Sequence, residues 1–248
     1  MNKILIFDVW GDYAHFRRYY TTTSPLTFPI PPRTALCGLI GAIIGLEKEN
    51  NKYLEDLTLD KAFIGLQISP TNPIKKVVLS ENLIHTKNAK GPGMNLIDNR
   101  TQILFEFLKN PKYRIYFYHV GDLYNQLKEN VEQHKSVYTP CLGLSEHIAN
   151  FELIEEAKVS SLTQKEYVKI SSVIPIKKTA ENEGILFASE GEYFSTRIPV
   201  EMNCDRIVTK YSDVIFERCG NPIDAKLIES YIKVDYKDGT RENILFIE

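Results

Sequence analysis

The sequence has few residues of the kinds that usually mark a metal or catalytic site. The four cysteines, Cys37, Cys141, Cys204 and Cys219, show no CxxC spacing, which argues against both a zinc site and a disulfide framework. The five histidines show no HExxH or HxxEH spacing, and neither a GxSxG sequence nor a Walker-type phosphate loop occurs. The sequence therefore predicts no metal, no cofactor and no small-molecule substrate.

Long apolar runs and an excess of charge are also missing. The longest apolar run, residues 35–46, is too short and too rich in glycine to span a membrane, and the N-terminus MNKILIFDVW lacks a signal-peptide cleavage site. We therefore expect a cytoplasmic protein without a membrane partner. The net charge of −2 gives no overall electrostatic reason for nucleic-acid binding, so any such site has to be local.

Hydrophobic periodicity predicts an α+β fold with two parts. The first part, residues 1–159, has the order strand, helix, strand, strand, helix, strand, which is typical of a ferredoxin-like (RRM-like) domain. Its predicted strands are 3–9, 62–69, 101–108, 113–120 and 151–159, with an extended segment at 74–84, and its predicted helices are 33–46 and 121–134. Residues 160–248 form a β-rich region of short strands, 166–174, 185–188, 193–200 and 214–218, with a hairpin of 231–235 and 243–247 around an Asp-Gly turn.

The first predicted helix carries small residues on one stripe. Gly38, Gly41, Ala42 and Gly45 follow a spacing of i, i+3, i+4 and i+7. Glycine inside a helix costs about 0.5–1 kcal/mol relative to alanine, so three glycines need a structural reason. We expect the backbone of this helix to approach a sheet closely.

The segment between the first strand and this helix combines aromatic, basic and hydroxyl side chains. Aromatic rings of this kind stack on unpaired bases, and arginine and hydroxyl groups bind phosphates. For any single ring, burial in the core is the commoner fate. The candidate RNA-binding residues of this segment are Trp10, His15, Arg17, Arg18, Tyr19, Tyr20 and Thr21.

Three further segments are candidates for contact with RNA. The start of the first helix, with Arg33 and Thr34, offers free N–H groups to a phosphate. Residues 85–99 form a long polar loop, and the stretch 85–114 has six basic and two acidic residues. The third candidate segment is the turn 138–149. The candidate residues of the loop, its base and this turn are Lys87, Lys90, Met94, Arg100, Gln102 and Ser145.

Two stretches of the sequence resemble a known family. IPPRTALCGLIGAIIGL and YTPCLGLSEHIA resemble conserved-looking words of the CRISPR-associated proteins of the Cas five family, in the RAMP superfamily, and FDVWGDYAHFRRYYTTTS points to its I-B-type branch. The resemblance covers about the first 160 residues. It implies a subunit of a type I Cascade complex that serves antiviral defence, binds the 5′ handle of the crRNA and contacts the backbone and large subunits. It also implies a thumb at about 85–100 that wedges into the guide RNA.

The resemblance further implies that this chain is not an enzyme. I-C-type members that process precursor crRNA use a Tyr shortly before Pro-x-Arg and a Lys-His pair at the base of the thumb. Here the Tyr position falls at Phe28 and the pair at Arg100-Thr101. Neither Phe nor Thr can act as a base, and Arg stays protonated. Two alternatives remain open, namely a metal-independent endoribonuclease and a protein-only assembly subunit.

Overall fold

The computed structural model describes residues 1–21, 24–84 and 100–248. Within them the chain is mostly strand with few helices, which confirms the mixed α and β class predicted from the sequence. The tip of the predicted thumb, with Lys87, Lys90 and Met94, lies outside the described residues. No helix within the described ranges is long and apolar enough to cross a membrane.

The elements follow the predicted order closely. The helices are α1 Arg33–Ile44, α2 Tyr53–Asp56 and α3 Leu123–Glu132, with short 3-10 helices at Glu49–Asn51 and Ile176–Lys178. The strands of the first part are β1 Lys3–Trp10, β2 Tyr13–Ala14, β3 Ala62–Ile68, β4 Lys76–Ile84, β5 Arg100–Lys109, β6 Lys112–His119 and β7 Asn150–Leu162. The strands that follow are β8 Val168–Ile170, β9 Ile174–Pro175, β10 Ile185–Leu186, β11 Tyr193–Met202, β12 Val208–Glu217, β13 Ile223–Ala225, β14 Tyr231–Asp235 and β15 Arg241–Ile244.

The central element is a six-stranded antiparallel sheet with the order β15-β14-β7-β1-β6-β3. Its strand β1 is buried on both faces, and for this reason its sequence is a continuous apolar run rather than an alternating one. Leu5, Phe7 and Val9 face the core that contains α1 and α3, while Ile4 and Ile6 face a second apolar layer. The C-terminal hairpin β14–β15 extends the same sheet by pairing with β7.

The glycines of α1 serve a different purpose from the one expected. A methyl group on Gly38 would meet nothing within 4 Å, and one on Gly41 would make only ordinary contacts, 3.7 Å, with the side chains of Leu46 and Tyr53. Gly45 ends the helix with φ of 80°, a left-handed conformation that favours glycine. The expected close approach of this stripe to a sheet is therefore wrong. Instead α1 is buried between the main sheet and the strands β11 and β12, whose Val200 and Phe216 share its core.

The strands β4 and β5 form a long two-stranded arm apart from the main sheet. They pair along their whole length, from Lys76 opposite Leu108 to Ile84 opposite Arg100, and β2 pairs only with the base of β5. Residues 85–99, which follow β4 in the sequence and contain most of the predicted thumb, lie outside the described residues.

Candidate nucleic-acid interface

The loop 16–28, between β2 and α1, is a small hairpin held by its own backbone. The N–H of Arg18 donates to the carbonyl of Leu26 at 2.9 Å, and the N–H of Phe28 donates to the carbonyl of Phe16 at 2.8 Å. These bonds close the base of the loop. The described residues between them, 19–21 and 24–25, form the end of the loop, and residues 22 and 23 lie outside the described ranges.

The base of the arm fixes this loop through Glu106 of β5. One carboxylate oxygen of Glu106 accepts the N–H of Thr27 at 3.1 Å and the ammonium of Lys76 at 2.8 Å. The N–H of Glu106 donates to the carbonyl of Pro25 at 3.0 Å. Charged hydrogen bonds of this type are stronger than neutral ones, so the loop and the arm base behave as one unit.

The end of the loop exposes aromatic and basic side chains. Tyr19 is 68% exposed and Tyr20 is 56% exposed, which is unusual for aromatic rings of this size. Arg17 is exposed too, and its guanidinium donates to the carbonyl of Thr21 at 3.2 Å. Arg18 is half-buried and donates to the hydroxyl of Tyr20 at 2.5 Å. The described side chains at this end of the loop therefore contact one another, and Arg17, Tyr19 and Tyr20 remain exposed to solvent.

The turn 138–149 packs against the start of the same loop. The N–H of His15 donates to the carbonyl of Leu142 at 3.0 Å, and the ring of His147 lies edge-on to that of Phe107 at 5.1 Å. Leu142 is buried, so the expectation that the whole Leu-Gly turn faces an RNA is wrong for this residue. Ser145 is exposed and donates to the carboxylate of Glu146 at 3.2 Å. Three segments far apart in the sequence thus meet at one place.

His15 is a buried residue, and this corrects its prediction as an RNA contact. Its exposed fraction is 1%, and its ring lies 5.5 Å from that of Phe105 and 5.7 Å from that of Phe107. Its Nδ1 donates to the carbonyl of Glu106 at 2.8 Å, because a carbonyl can only accept. Its other ring nitrogen is buried without a partner among the described residues. Burial lowers the pKa of His15, and burial likewise lowers the pKa of His147.

These two histidines are expected to make the protein less stable in mild acid. Below the ordinary pKa of 6.5 the unfolded chain takes up protons that the folded protein resists, so the unfolding free energy falls with pH. The slope is at most about 1.4 kcal/mol per pH unit for each histidine. Melting temperatures measured between about pH 7.5 and 5 should drop for the parent and change less for a variant with His15→Gln and His147→Gln. An equal slope in the double variant would contradict this assignment.

Arg33 is the second residue that the structure places in the interior. Its exposed fraction is 1%, and the prolines before it, Pro31 and Pro32, are buried as well. Because the N-terminus of α1 is covered in this way, the expected phosphate site at Arg33 is wrong. Thr34, the next residue, is half-buried. The sequence could not separate the two cases, since an arginine at a helix start looks the same whether it faces solvent or the core.

The remaining predicted residues lie at two other places. Arg100 and Gln102 are exposed at the far end of the arm, about 20 Å and about 14 Å along β5 from Glu106. Trp10 is half-buried at the end of β1, and the ammonium of Lys112 lies 5.4 Å from the centre of its ring. The predicted site is thus spread over the loop end, the arm and the end of β1 rather than gathered in one pocket.

Two residues beside the loop end were not predicted from the sequence. Tyr211 of β12 lies against Tyr19, with 5.9 Å between the ring centres, and Arg197 of β11 lies over Tyr211 at 5.2 Å. Tyr19 in turn meets Tyr20 edge-on at 5.2 Å, and the guanidinium of Arg18 lies 5.9 Å from the Tyr20 ring. We call these five residues the aromatic ledge. No local sequence pattern predicts the aromatic ledge, because Tyr19 and Tyr211 are nearly 200 residues apart in the sequence.

Comparison with known proteins gives one family match and several structural ones. A family model described as CRISPR-associated protein (Cas_Cas5) matches residues 4–96, which is less than half of the chain. This range contains the loop, α1 and β4. No curated protein sequence matches the chain significantly.

Three solved structures share the fold at low sequence identity. The crystal structure of a CRISPR protein from Archaeoglobus fulgidus has a TM-score of 0.52 and 15% identity, over 98% of this chain and 99% of that chain. A chain of a CRISPR RNA-guided surveillance complex has a TM-score of 0.54 and 9% identity, over 90% and 92%. A chain of the type III-B Cmr-beta bound to cognate target RNA and AMPPnP has a TM-score of 0.51 and 15% identity, over 90% and 86%. The chain therefore has the overall fold of these CRISPR proteins, and its residues 4–96 are similar to the family of CRISPR-associated proteins that the family model describes.

Proposed function

We propose that this chain belongs to the Cas five family and is an RNA-binding subunit of a CRISPR effector complex in antiviral defence. The family match over residues 4–96 and the fold shared with chains of CRISPR complexes support this assignment. The more specific form of the proposal is a type I-B Cascade subunit in the cytoplasm. It would bind and cap the 5′ handle of the crRNA and contact the backbone and large subunits.

The observation that carries the proposal is the exposed end of the loop 16–28. Tyr19 and Tyr20 present open ring faces beside Arg17, and Glu106 fastens this loop to the base of a projecting arm. Single-stranded RNA is bound by such a combination, since bases stack on rings and phosphates contact arginine. A structural loop would instead bury these rings.

The sheet supports a ferredoxin-like assignment for the first part of the chain. Four consecutive strands of the sheet have the order β7-β1-β6-β3, and β3 lies at the edge. In sequence, α1 lies between β1 and β3, and α3 lies between β6 and β7. This is the antiparallel order that a strand, helix, strand, strand, helix, strand chain forms in that fold. The arm β4–β5 is then an insertion between the second and third of these strands, where a thumb is expected.

We also propose that the chain is not catalytic. The position that the resemblance gives to the reactive tyrosine holds Phe28, which is 3% exposed and has no hydroxyl group. His15, the nearest histidine to the loop, is buried with one nitrogen committed to a carbonyl. Neither group has the access that a general acid or base needs.

The test of the RNA-binding proposal is purification of the tagged protein from cells that express its whole operon. Guide RNAs that share a 5′ handle, together with other subunits, are expected to copurify. With the isolated protein, Arg17→Ala combined with Arg100→Ala should weaken handle binding and make the plot of log affinity against log salt shallower by about 1.4, that is ~0.7 per phosphate contact. Lys165→Ala combined with Lys226→Ala, which removes two exposed lysines elsewhere, is the matched control. An unchanged slope in the arginine variant would remove these residues from the site.

The competing endoribonuclease is tested with a labelled repeat hairpin RNA, with and without EDTA. We expect no cleavage. A single defined cut that disappears in Tyr20→Phe would replace the non-catalytic proposal by the processing enzyme. Absence of any RNA affinity, with assembly intact, would favour the protein-only subunit.

A further inference from the structure

The aromatic ledge joins the two parts of the chain at their surface. Tyr19 and Tyr20 come from the loop before α1, and Tyr211 comes from the hairpin β11–β12 of the β-rich region. The ring centres are 5.2 and 5.9 Å apart, so the three rings form a continuous surface. Such contacts between rings are themselves favourable, which holds the ledge together.

An arginine lies next to each of the two outer rings, Tyr20 and Tyr211. Arg18 lies beside Tyr20 at one end, and Arg197 lies over Tyr211 at the other. Among the residues that the structure describes, no carboxylate forms an ion pair with Arg197, although Asp213 is its backbone partner across the hairpin. Arg197 is exposed, so its guanidinium remains available to a phosphate.

The register of the hairpin explains why Arg197 and Tyr211 meet. Arg197 is opposite Asp213 and Pro199 is opposite Tyr211, so the two side chains are diagonal neighbours on the same face. The other face of β11 and β12 is buried against α1 through Ile198, which fixes the hairpin. The core packing of this hairpin therefore fixes the positions of Arg197 and Tyr211.

We propose that the aromatic ledge is a binding subsite for unpaired nucleotides of single-stranded RNA, and that Tyr211 and Arg197 form its second half. This inference rests on the proposed function and extends it to the β-rich region. Bases stack on the exposed Tyr19 and Tyr20 and on the accessible part of the half-buried Tyr211, and the phosphates that connect them lie near the two arginines.

The chemistry of the ledge favours a single strand over a duplex. In an A-form duplex the base faces are hidden within the stack, so rings of a protein cannot cover them. The rings of the ledge adjoin two arginines, which complement the negative charge of a nucleic-acid backbone. Tyrosine and arginine are also enriched at protein interfaces, so association with other subunits is measured as the competing outcome.

The test compares a fluorescent oligoadenylate of about 12 nucleotides with the same strand annealed to its complement. Tyr211→Ala in the full-length protein should weaken binding of the single strand by about 5- to 150-fold, the usual cost of losing a stacked base. Tyr211→Phe keeps the ring and should stay within about two-fold. Duplex binding should change little in both variants.

Two further variants test the contribution of charge and the specificity of the aromatic effect. Arg197→Ala should reduce the salt dependence of single-strand binding by about 0.7 on the logarithmic scale, because one phosphate contact is lost. Phe194→Ala removes another exposed aromatic from the same strand, three residues away and on the opposite face, and should leave RNA binding unchanged. Melting temperatures of all variants show whether the fold is intact.

The outcomes distinguish the subsite from the function on which it rests. If the parent protein binds the single strand and Tyr211→Ala binds it equally well, the subsite is refuted while the proposed function stands. If Tyr211→Ala loses only the association with other subunits, the ledge is a protein-binding surface and the subsite is again refuted. If the parent binds no RNA and none copurifies with it, both proposals fail.

Discussion

Replacing Arg33 by Met is expected to lower the free energy of unfolding by about 3–5 kcal/mol. The buried guanidinium donates to the carbonyl of Val200 at 3.0 Å and to those of Leu57 and Thr58, also at 3.0 Å. A fourth bond reaches the carbonyl of Ala62 at 2.6 Å. Each carbonyl left unpaired in the interior costs about 1–3 kcal/mol, and a thioether cannot replace any of them. The methionine recovers part of this cost because it no longer buries a charge.

The arginine also connects elements that are far apart in the sequence, beside the bond that the N–H of Leu59 donates to the carboxylate of Glu201 at 3.2 Å. Val200 belongs to β11, whereas Ala62 begins β3 and Leu57 precedes it, so one side chain ties the β-rich region to the first part. Within the described residues no carboxylate pairs with it, which makes backbone carbonyls its main partners. The planar guanidinium with its five N–H groups suits this role, and a lysine does not.

The measurement is urea unfolding of Arg33→Met and Arg33→Lys beside the parent protein. Both variants should show a lower midpoint, and Arg33→Lys should lose at least about 2 kcal/mol despite keeping the charge. Arg17→Met, which changes an exposed arginine, is the control and should stay within about 0.5 kcal/mol. Loss of RNA binding in a fully stable Arg33→Met protein would contradict the structural role and restore the phosphate site.

The positions of helices and strands could be predicted from the sequence because they depend on local periodicity. The predicted helix 33–46 is α1, residues Arg33–Ile44, and the predicted hairpin in the C-terminal region is β14–β15. The choice of partners could not be predicted in this way. That β5 pairs with β4 and β2, in a sheet apart from the one that contains β6, depends on contacts between distant residues.

The burial of single side chains in the candidate site also depends on distant residues and could not be predicted from local sequence. The pattern of aromatic and basic residues singled out a loop at whose end Tyr19 and Tyr20 are exposed. It could not show that His15 and Arg33 are covered, because the covering residues, Phe105 and Val200, lie 90 and 167 positions further along the chain. It could not find Tyr211 either, since an alternating strand gives no information about which loop it meets.

Replacing Gly143 by Ala is expected to separate the turn 138–149 from the loop 16–28. Gly143 has φ of 97°, a conformation that side chains disfavour by roughly 1–2 kcal/mol. A methyl group there would lie 1.9 Å from the carbonyl oxygen of His15, which is backbone and cannot rotate away. His15 is itself held to this turn by the bond from its N–H to the carbonyl of Leu142. We therefore expect a loss of about 3–5 kcal/mol in unfolding free energy.

Gly239→Ala is the matched control. It separates the cost of the clash with the carbonyl of His15 from the cost of placing alanine in a left-handed backbone conformation. Gly239 has φ of 86°, yet a methyl group on it would meet nothing within 4 Å, so Gly239→Ala should cost only about 1–2 kcal/mol. Urea unfolding gives both values, and binding of the single-stranded RNA by Gly143→Ala should weaken as well, because the segment that begins at His15 is displaced. Equal costs for the two variants would mean that the turn can move away from His15 freely, and that the three segments of the interface do not act as one unit.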